Sequence, residues 1–249
     1  MAGPVVDTLS AQEFRREILD RISAEELQAI AADLERKSAA MGELLLPGAS
    51  LDRAALRRLL GMVFATRRKA DQILDMIGSD RLGAAIAGLL DHDRDLAGRF
   101  DRFDAVLAGL AAPGAALPGP GFDLPGEILH FTYPGQYWLW TRWMWDPRTK
   151  TGALGLVTMD DFDLTVGATR GDVYLTVGRA TAFVNETGKA AGFTDAAPGL
   201  FGADMFLAAV YGVYMYTVLR MRMTREFNQL VPQLPDLIRR LLGIYYQEY

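Results

Sequence analysis

The fold is decided by the stretch Leu117-Pro-Gly-Pro-Gly-Phe-Asp-Leu-Pro-Gly-Glu-Ile-Leu-His130, which is followed by Tyr137-Trp-Leu-Trp-Thr-Arg-Trp-Met-Trp145. In the first part, Gly119 and Gly121 precede an apolar helix start. Backbone N–H groups in a glycine turn or at a helix N-terminus can bind an anion such as a phosphate. The second part holds all four tryptophans. A binding function is therefore expected in this region first.

Working outward, apolar residues recur at helical spacing through most of the chain. Ser10 and Ser23 are each followed three residues later by a glutamate, which is the spacing of a capping box and predicts helix starts near 11 and 24. Periodicity, with breaks at Gly and Pro, predicts the other helices. We place these at 51–77, 80–90, 93–110, 126–133, 135–145, 203–228 and 235–247. The succession of helices predicts an all-α fold.

Residues 162–177 fit two structures. Phe162–Val166 and Val173–Val177 alternate as strands do, and can pair as a small β-hairpin. The second segment also continues a helical apolar face that ends at Gly188. We favour a helix over 172–187 and keep the hairpin as the alternative.

Composition limits the classes of protein. The chain has 249 residues, of which 50% are hydrophobic, so it can bury a large core. It has no cysteine, which excludes disulfides, thiolate metal sites and cysteine nucleophiles. A net charge of −5 argues against a protein that coats nucleic acid through its overall charge, so any such contact must be local.

The sequence also predicts a location. The first residues, Met-Ala-Gly-Pro-Val-Val-Asp, lack the basic and apolar regions of a signal peptide, so we expect a cytoplasmic protein. The apolar run 205–219 is shorter than the roughly 20 residues that cross a bilayer. A buried core helix explains it better, and no membrane partner is predicted.

The hairpin segment, Leu117–Gly121, followed by the aliphatic pair Ile128-Leu129, resembles the helix-hairpin-helix element of the base-excision DNA glycosylase superfamily. Pro134–Trp143 is similar in spacing to the segment that carries the family's catalytic aspartate. Leu154–Val157 resembles the short segment that follows it. The resemblance implies a multi-helical domain over 49–200, in which the hairpin amides grip a DNA phosphate. An N-terminal helical segment, 1–48, and C-terminal helices, 201–249, complete the predicted organisation.

The departures from the family pattern concern catalysis and phosphate binding. Trp140 stands where the family has its aspartate, and Asp146 lies almost two helical turns further on, too far to replace it. No catalytic lysine follows the hairpin. Pro120 has no N–H to offer a phosphate, and Pro125 occupies a position usually given to a small residue. The alternative for the whole stretch is a Pro/Gly linker.

Two groups of side chains are candidates for binding. Trp138, Trp140 and Trp143 can stack on bases, although on one helix they point in several directions and part of the set must be core. Arg57 and Arg68, with Arg53 nearby, can position a phosphate backbone. The alternative for these arginines is a solvated face that pairs with Asp52, Asp71 and Asp75. Arg142, beside the tryptophans, is a further candidate for DNA contact.

Metal and catalytic motifs are incomplete. Glu127 and His130 have the Glu-x-x-His spacing of di-iron bundles, but that site needs a second copy. His92 is the only other histidine and has no glutamate three residues before it. Neither a Gly-x-Ser-x-Gly motif nor a phosphate-binding P-loop occurs in the sequence. We therefore predict no catalytic residue, no metal and no cofactor.

These observations give one favoured function and two alternatives. The favoured function is a non-catalytic helical subunit that contacts DNA backbone through Gly119, Gly121 and nearby arginines. The resemblance of Glu127–Pro134 to helical domains that accompany bacterial restriction and defence proteins implies a larger assembly. The first alternative is a protein-interaction scaffold without DNA binding, which uses the aromatic segment or the tyrosine-rich run 205–219. The second is an enzyme that uses Glu127, His130 or Asp146.

Overall fold

Ten α-helices form within the residues that this computed structural model describes, which are 5–46, 48, 51–108, 121–192, 199–222 and 233–244. They are α1 (Thr8–Leu19), α2 (Ala24–Leu44), α3 (Arg53–Met62), α4 (Ala70–Ile77), α5 (Ser79–Leu90), α6 (Leu96–Leu107), α7 (Asp123–Thr132), α8 (Arg170–Ala191), α9 (Gly202–Arg222) and α10 (Leu234–Leu241). No β-strand occurs in those ranges, and isolated bridges join Val6 to Thr158 and Asp146 to Thr151. The predicted all-α class is confirmed.

Side-chain caps fix the first helix starts. Ser23 accepts the N–H of Glu26 at 3.2 Å, and Glu26 accepts the N–H of Ser23 at 3.1 Å, so this capping box is confirmed. The one predicted at Ser10 is wrong, because Asp7 caps α1 and also accepts the Ser10 hydroxyl at 2.6 Å. Asp52 caps α3 in the same way. A carboxylate oxygen is as good an N-cap acceptor as a serine hydroxyl.

The single helix predicted over 51–77 is wrong, because α3 and α4 are separated by a turn. In a continuous helix the Phe64 N–H would donate to the Leu60 carbonyl. Instead that carbonyl accepts the Thr66 hydroxyl at 2.6 Å. The Phe64 N–H interacts with the Glu127 carboxyl and lowers its pKa. The Leu60 carbonyl is thus satisfied by a side chain at the point where α3 ends.

The helix predicted over 135–145 is also wrong. Turns occupy 134–136 and 142–144, and the residues between them are not helical. A Cβ at Gly126 would overlap the Trp140 carbonyl, so the glycine in α7 lets this backbone pass directly against the helix. Trp140 becomes fully buried as a result. Tertiary packing overrides the local helical pattern here.

The segment 162–177 contains no hairpin, so that alternative is wrong and the favoured helix is confirmed. α8 begins earlier than predicted, because Thr169 and Asp172 form a reciprocal cap. The Asp172 N–H donates to the Thr169 hydroxyl at 3.2 Å, and Asp172 accepts the Thr169 N–H at 3.1 Å. This pairing is a capping box with aspartate in place of glutamate.

The remaining predicted helices are confirmed with shifted ends. They correspond to α5, α6, α7, α9 and α10. The predicted continuations over 109–110, 223–228 and 245–247 lie outside the described residues. No helix in the described parts of the chain has the length and apolarity needed to cross a membrane.

The chain forms two compact units. Unit 1 comprises Met1–Glu35, Trp143–Asp163 and Arg179–Tyr246. In it α9 packs against α1 and α10, and its residues 202–210 are all buried. The Trp143 indole donates to the Leu241 carbonyl at 3.0 Å, which connects α10 to the end of the aromatic stretch.

Unit 2 consists chiefly of Arg36–Arg142 and Leu164–Gly178. Here α5 packs against α6, and both contact α7. Every residue of α7 from Asp123 to Phe131 is buried. The central position of α7 decides where the polar side chains of this unit meet. The division predicted at 48/49 and 200/201 stays a prediction.

Candidate functional site

The central helix of unit 2 carries three polar side chains on a buried surface. Asp123, Glu127 and His130 belong to α7 and are 7%, 2% and 1% exposed. Spacings of four and three residues place them along one side of the helix. Burying such groups is costly unless each finds a partner.

Glu127 is held by an ion pair within the core. Its carboxylate lies 2.6 Å from the ammonium of Lys37, a residue that is fully buried. That ammonium also lies 4.0 Å from the centre of the Phe131 ring. Burial raises the pKa of the Glu127 carboxyl, and Lys37 acts in the opposite direction. Both charged groups are enclosed, so this ion pair serves the packing of α7 and not contact with a ligand.

His130 is held against the aromatic segment. Its Nδ1 lies 2.8 Å from the Tyr137 carbonyl, so that nitrogen must donate a proton. Glu127 and His130, two of the three residues that the enzyme alternative would use, therefore both have structural partners. The third, Asp146, belongs to unit 1 and accepts the Arg148 N–H at 2.9 Å. Within the described ranges, no three His, Asp or Glu side chains are arranged to hold a metal ion.

Asp123 connects the start of α7 to Arg142. One carboxylate oxygen accepts the Arg142 backbone N–H at 2.7 Å, and the other lies 3.1 Å from the guanidinium Nε. Burial raises the pKa of the Asp123 carboxyl to about 7, although Arg142 lowers it. The Arg142 side chain is 42% exposed. This ion pair therefore has one buried and one solvent-facing partner.

Two arginines flank the chain where it enters α7. Gly121 has φ +57°, and a Cβ there would lie 3.4 Å from an Arg142 guanidinium nitrogen. The guanidinium of Arg170 lies over the Phe122 ring, 5.3 Å from its centre, and its side chain is 45% exposed. Phe122, the N-cap residue, makes no side-chain hydrogen bond to the first turn. We call Gly121, Phe122, Arg142 and Arg170 the α7 entrance.

The hairpin segment is only partly covered by the structure. Gly119 lies outside the described residues, and Gly121 is the one member of Leu117–Gly121 that is described. Its left-handed conformation is one that glycine adopts without strain. The structure therefore brings together two of the predicted DNA-contact residues, Gly121 and Arg142.

The predicted basic strip is largely paired with acids. Arg57 Nε lies 3.0 Å from Asp71, and Arg53 lies 2.7 Å from Asp75, as the solvated-face alternative predicted. Arg68 is exposed in the turn between α3 and α4. Exposed pairs of this kind leave little net positive charge to attract a phosphate backbone. The α7 entrance differs because its carboxylates are more buried than its arginines.

The tryptophans lie mostly in the core. Trp140 is fully buried and stacks on Phe122, with the ring centres 4.0 Å apart. Trp143 is 8% exposed and belongs to unit 1. Trp138 is half-buried, and its carbonyl accepts the Tyr174 hydroxyl at 3.0 Å. None of the three belongs to the α7 entrance.

Sequence reasoning missed Lys37, Asp123 and Arg170. A signal for Lys37 existed, because it continues the buried face of α2 on which Leu34 and Met41 lie, and a lysine on such a face requires a partner. No local pattern links Asp123 to Arg142, or Arg170 to Phe122.

No protein-family model, curated protein or solved structure that was compared with this chain matches it.

Proposed function

We propose that the protein is a non-catalytic helical subunit that contacts the phosphate backbone of DNA at the α7 entrance. The observation that carries the proposal is the grouping of Gly121 with the half-exposed guanidinium groups of Arg142 and Arg170. The N-terminus of α7 adds its partial positive charge. Backbone contact of this kind needs no catalytic residue.

The acidic partners reduce the positive charge only in part. Asp104 lies 4.0 Å from Arg170, and Asp123 pairs with Arg142. Burial raises the pKa of both carboxyls, and that of Asp123 reaches about 7. Near neutral pH, Asp123 is therefore partly protonated, and the Arg142 charge is incompletely compensated.

The resemblance to the helix-hairpin-helix element supports the same location. In that family the hairpin amides bind a DNA phosphate, and Gly121 is the last residue of the matching segment here. Association with a bacterial defence protein, which the resemblance also implies, belongs to the proposal, as does the expected cytoplasmic location. Fold analogy alone does not carry function, so the test concerns the arginines.

The test is fluorescence anisotropy with short single- and double-stranded DNA at low and moderate salt. The variant Arg142→Gln with Arg170→Gln is compared with a matched control, Arg53→Gln with Arg57→Gln, which removes equal charge from α3. We expect the first variant to weaken binding and to reduce the salt slope by about 2, and the control to bind as the wild type does. Thermal unfolding checks that both variants fold.

Absence of wild-type binding at low salt, or equal losses in the two variants, would contradict the proposal. The first result would favour the scaffold alternative.

One observation favours that alternative, a protein-interaction scaffold, independently: on α9, Tyr214 is 37% exposed and its ring lies 6.3 Å from that of Tyr211. Tyrosine is enriched in the buried centres of protein interfaces.

A further inference from the structure

A cavity of about 260 Å³ that opens to solvent lies in unit 2, and it is lined by the C-terminal end of α2, the segment that follows it, and α5. Its lining is mainly aliphatic, with two ring side chains. The residues that matter to the argument are Leu45, Leu51, Ile86, Leu90, His92 and Tyr133. An enclosed apolar cavity of roughly 150 Å³ holds one benzene molecule. The larger volume here suits a molecule of about ten non-hydrogen atoms.

The polar side-chain groups of the described lining are the Tyr133 hydroxyl and the imidazole of His92, which is an exposed residue. The neighbours of the imidazole determine its tautomer. The Arg99 guanidinium, which can only donate, lies 3.1 Å from the Tyr137 hydroxyl oxygen. The same hydroxyl lies 2.9 Å from His92 Nδ1. Tyr137 is buried and Arg99 cannot accept, so Nδ1 is the acceptor among these partners for the hydroxyl proton. Neutral His92 therefore carries its proton on Nε2, which is a donor.

Aromatic contacts hold the imidazole ring in place. The ring of His92 is stacked on that of Tyr137 with centres 5.9 Å apart, and meets the Tyr133 ring edge-on at 4.8 Å. Arg99 is buried, and its other terminal nitrogen donates to the Leu89 carbonyl at 2.8 Å. Both terminal nitrogens of Arg99 are thus engaged, and the arginine holds the Tyr137 hydroxyl that orients His92. Such preorganisation lowers the cost of binding.

We propose that this cavity binds a small, uncharged, mostly apolar molecule that carries one hydrogen-bond acceptor, which the Nε2–H of His92 recognises. None of the lining residues that the structure describes is an acid, a lysine or an arginine. Asp91 and Asp93 flank His92 in the chain and disfavour an anionic ligand. The proposal is independent of the DNA contact at the α7 entrance.

Three bicyclic probes test the ligand class with the full-length protein. They are 1-indanone, which has a carbonyl acceptor, indane, which lacks it, and indane-1-carboxylate, which is charged. Binding is followed by ¹H–¹⁵N NMR titration. We expect saturable binding of 1-indanone, roughly fivefold weaker binding of indane because one hydrogen bond is lost, and the weakest binding for the carboxylate. No saturable binding of 1-indanone, or a preference for the carboxylate, would overturn the proposal.

Two variants locate the site. Ala87 lines the cavity and Ala84 does not, and both are exposed on α5, so Ala87→Leu fills the cavity and Ala84→Leu is its matched control. We expect Ala87→Leu to abolish saturable binding of 1-indanone and Ala84→Leu to leave it unchanged. His92→Phe keeps an aromatic ring without the donor, so the affinity for 1-indanone should fall about fivefold, to that for indane. Unchanged 1-indanone binding in Ala87→Leu or in His92→Phe would overturn the assignment.

Discussion

Glu127 and Asp123 lie one turn apart on α7, and both carboxylates are buried, but their partners differ. Glu127 faces Lys37, which is fully buried, whereas Asp123 faces Arg142, whose side chain is 42% exposed. Burial raises the pKa of both carboxyls. The difference between the two sites therefore lies in the cation. One cation is enclosed, and the other reaches solvent.

This difference separates a structural ion pair from one that can also bind. A buried pair contributes little net stability, but loss of one partner leaves an uncompensated charge. A half-exposed guanidinium keeps water on one side and can exchange it for a phosphate oxygen. The same helix thus anchors the core through Glu127 and presents Arg142 at its N-terminal end.

The largest effect is expected from Lys37→Met. The change keeps the volume of the side chain but leaves Glu127 without its cation, so we expect the free energy of unfolding to fall by about 3–5 kcal/mol at pH 8. Urea denaturation followed by circular dichroism measures it. In a Glu127→Gln background the same change should cost much less, since no buried charge remains. An equal loss in both backgrounds would mean that packing, and not charge, explains the result.

The ion pair at Lys37 also shows how far sequence reasoning reaches. Helical periodicity correctly predicts α2 and places Lys37 among apolar residues, but its partner lies 90 positions away along the chain. Likewise, local pattern predicts a helix over 135–145, because nothing local reveals that Gly126 admits the Trp140 backbone. Elements that depend on their own periodicity were predicted, and those decided by distant contacts were not.

A smaller effect is expected from pH, acting through Asp123. Its pKa is about 7 in the folded protein and near the ordinary 3.8 when unfolded, so the folded state binds the extra proton between these values. The free energy of unfolding therefore falls as pH rises from about 4 to about 7, by at most about 1.4 kcal/mol per pH unit for this group. Above pH 7 its contribution is constant.

Asp123→Asn tests this dependence. Asparagine can still accept the Arg142 backbone N–H but has no proton to release in this range. Denaturation curves at pH 5, 6, 7 and 8 should show a shallower decline for the variant than for the wild type. An unchanged slope would assign the pH dependence to other carboxyls, of which Glu127 and Asp104 also have raised pKa values.

The smallest effect is expected from Arg57→Met, which removes an ion pair that is exposed on both sides. Arg57 Nε lies 3.0 Å from Asp71, and the two side chains are 64% and 58% exposed. Water solvates both charges whether or not they meet, so we expect a loss below about 1 kcal/mol that 0.5 M NaCl reduces further. The measurement is the urea denaturation used for Lys37→Met, since both changes replace a cation by methionine. Equal losses would show that burial does not distinguish the two ion pairs. The exposure of the Arg142 side chain would then give no reason to expect phosphate binding there.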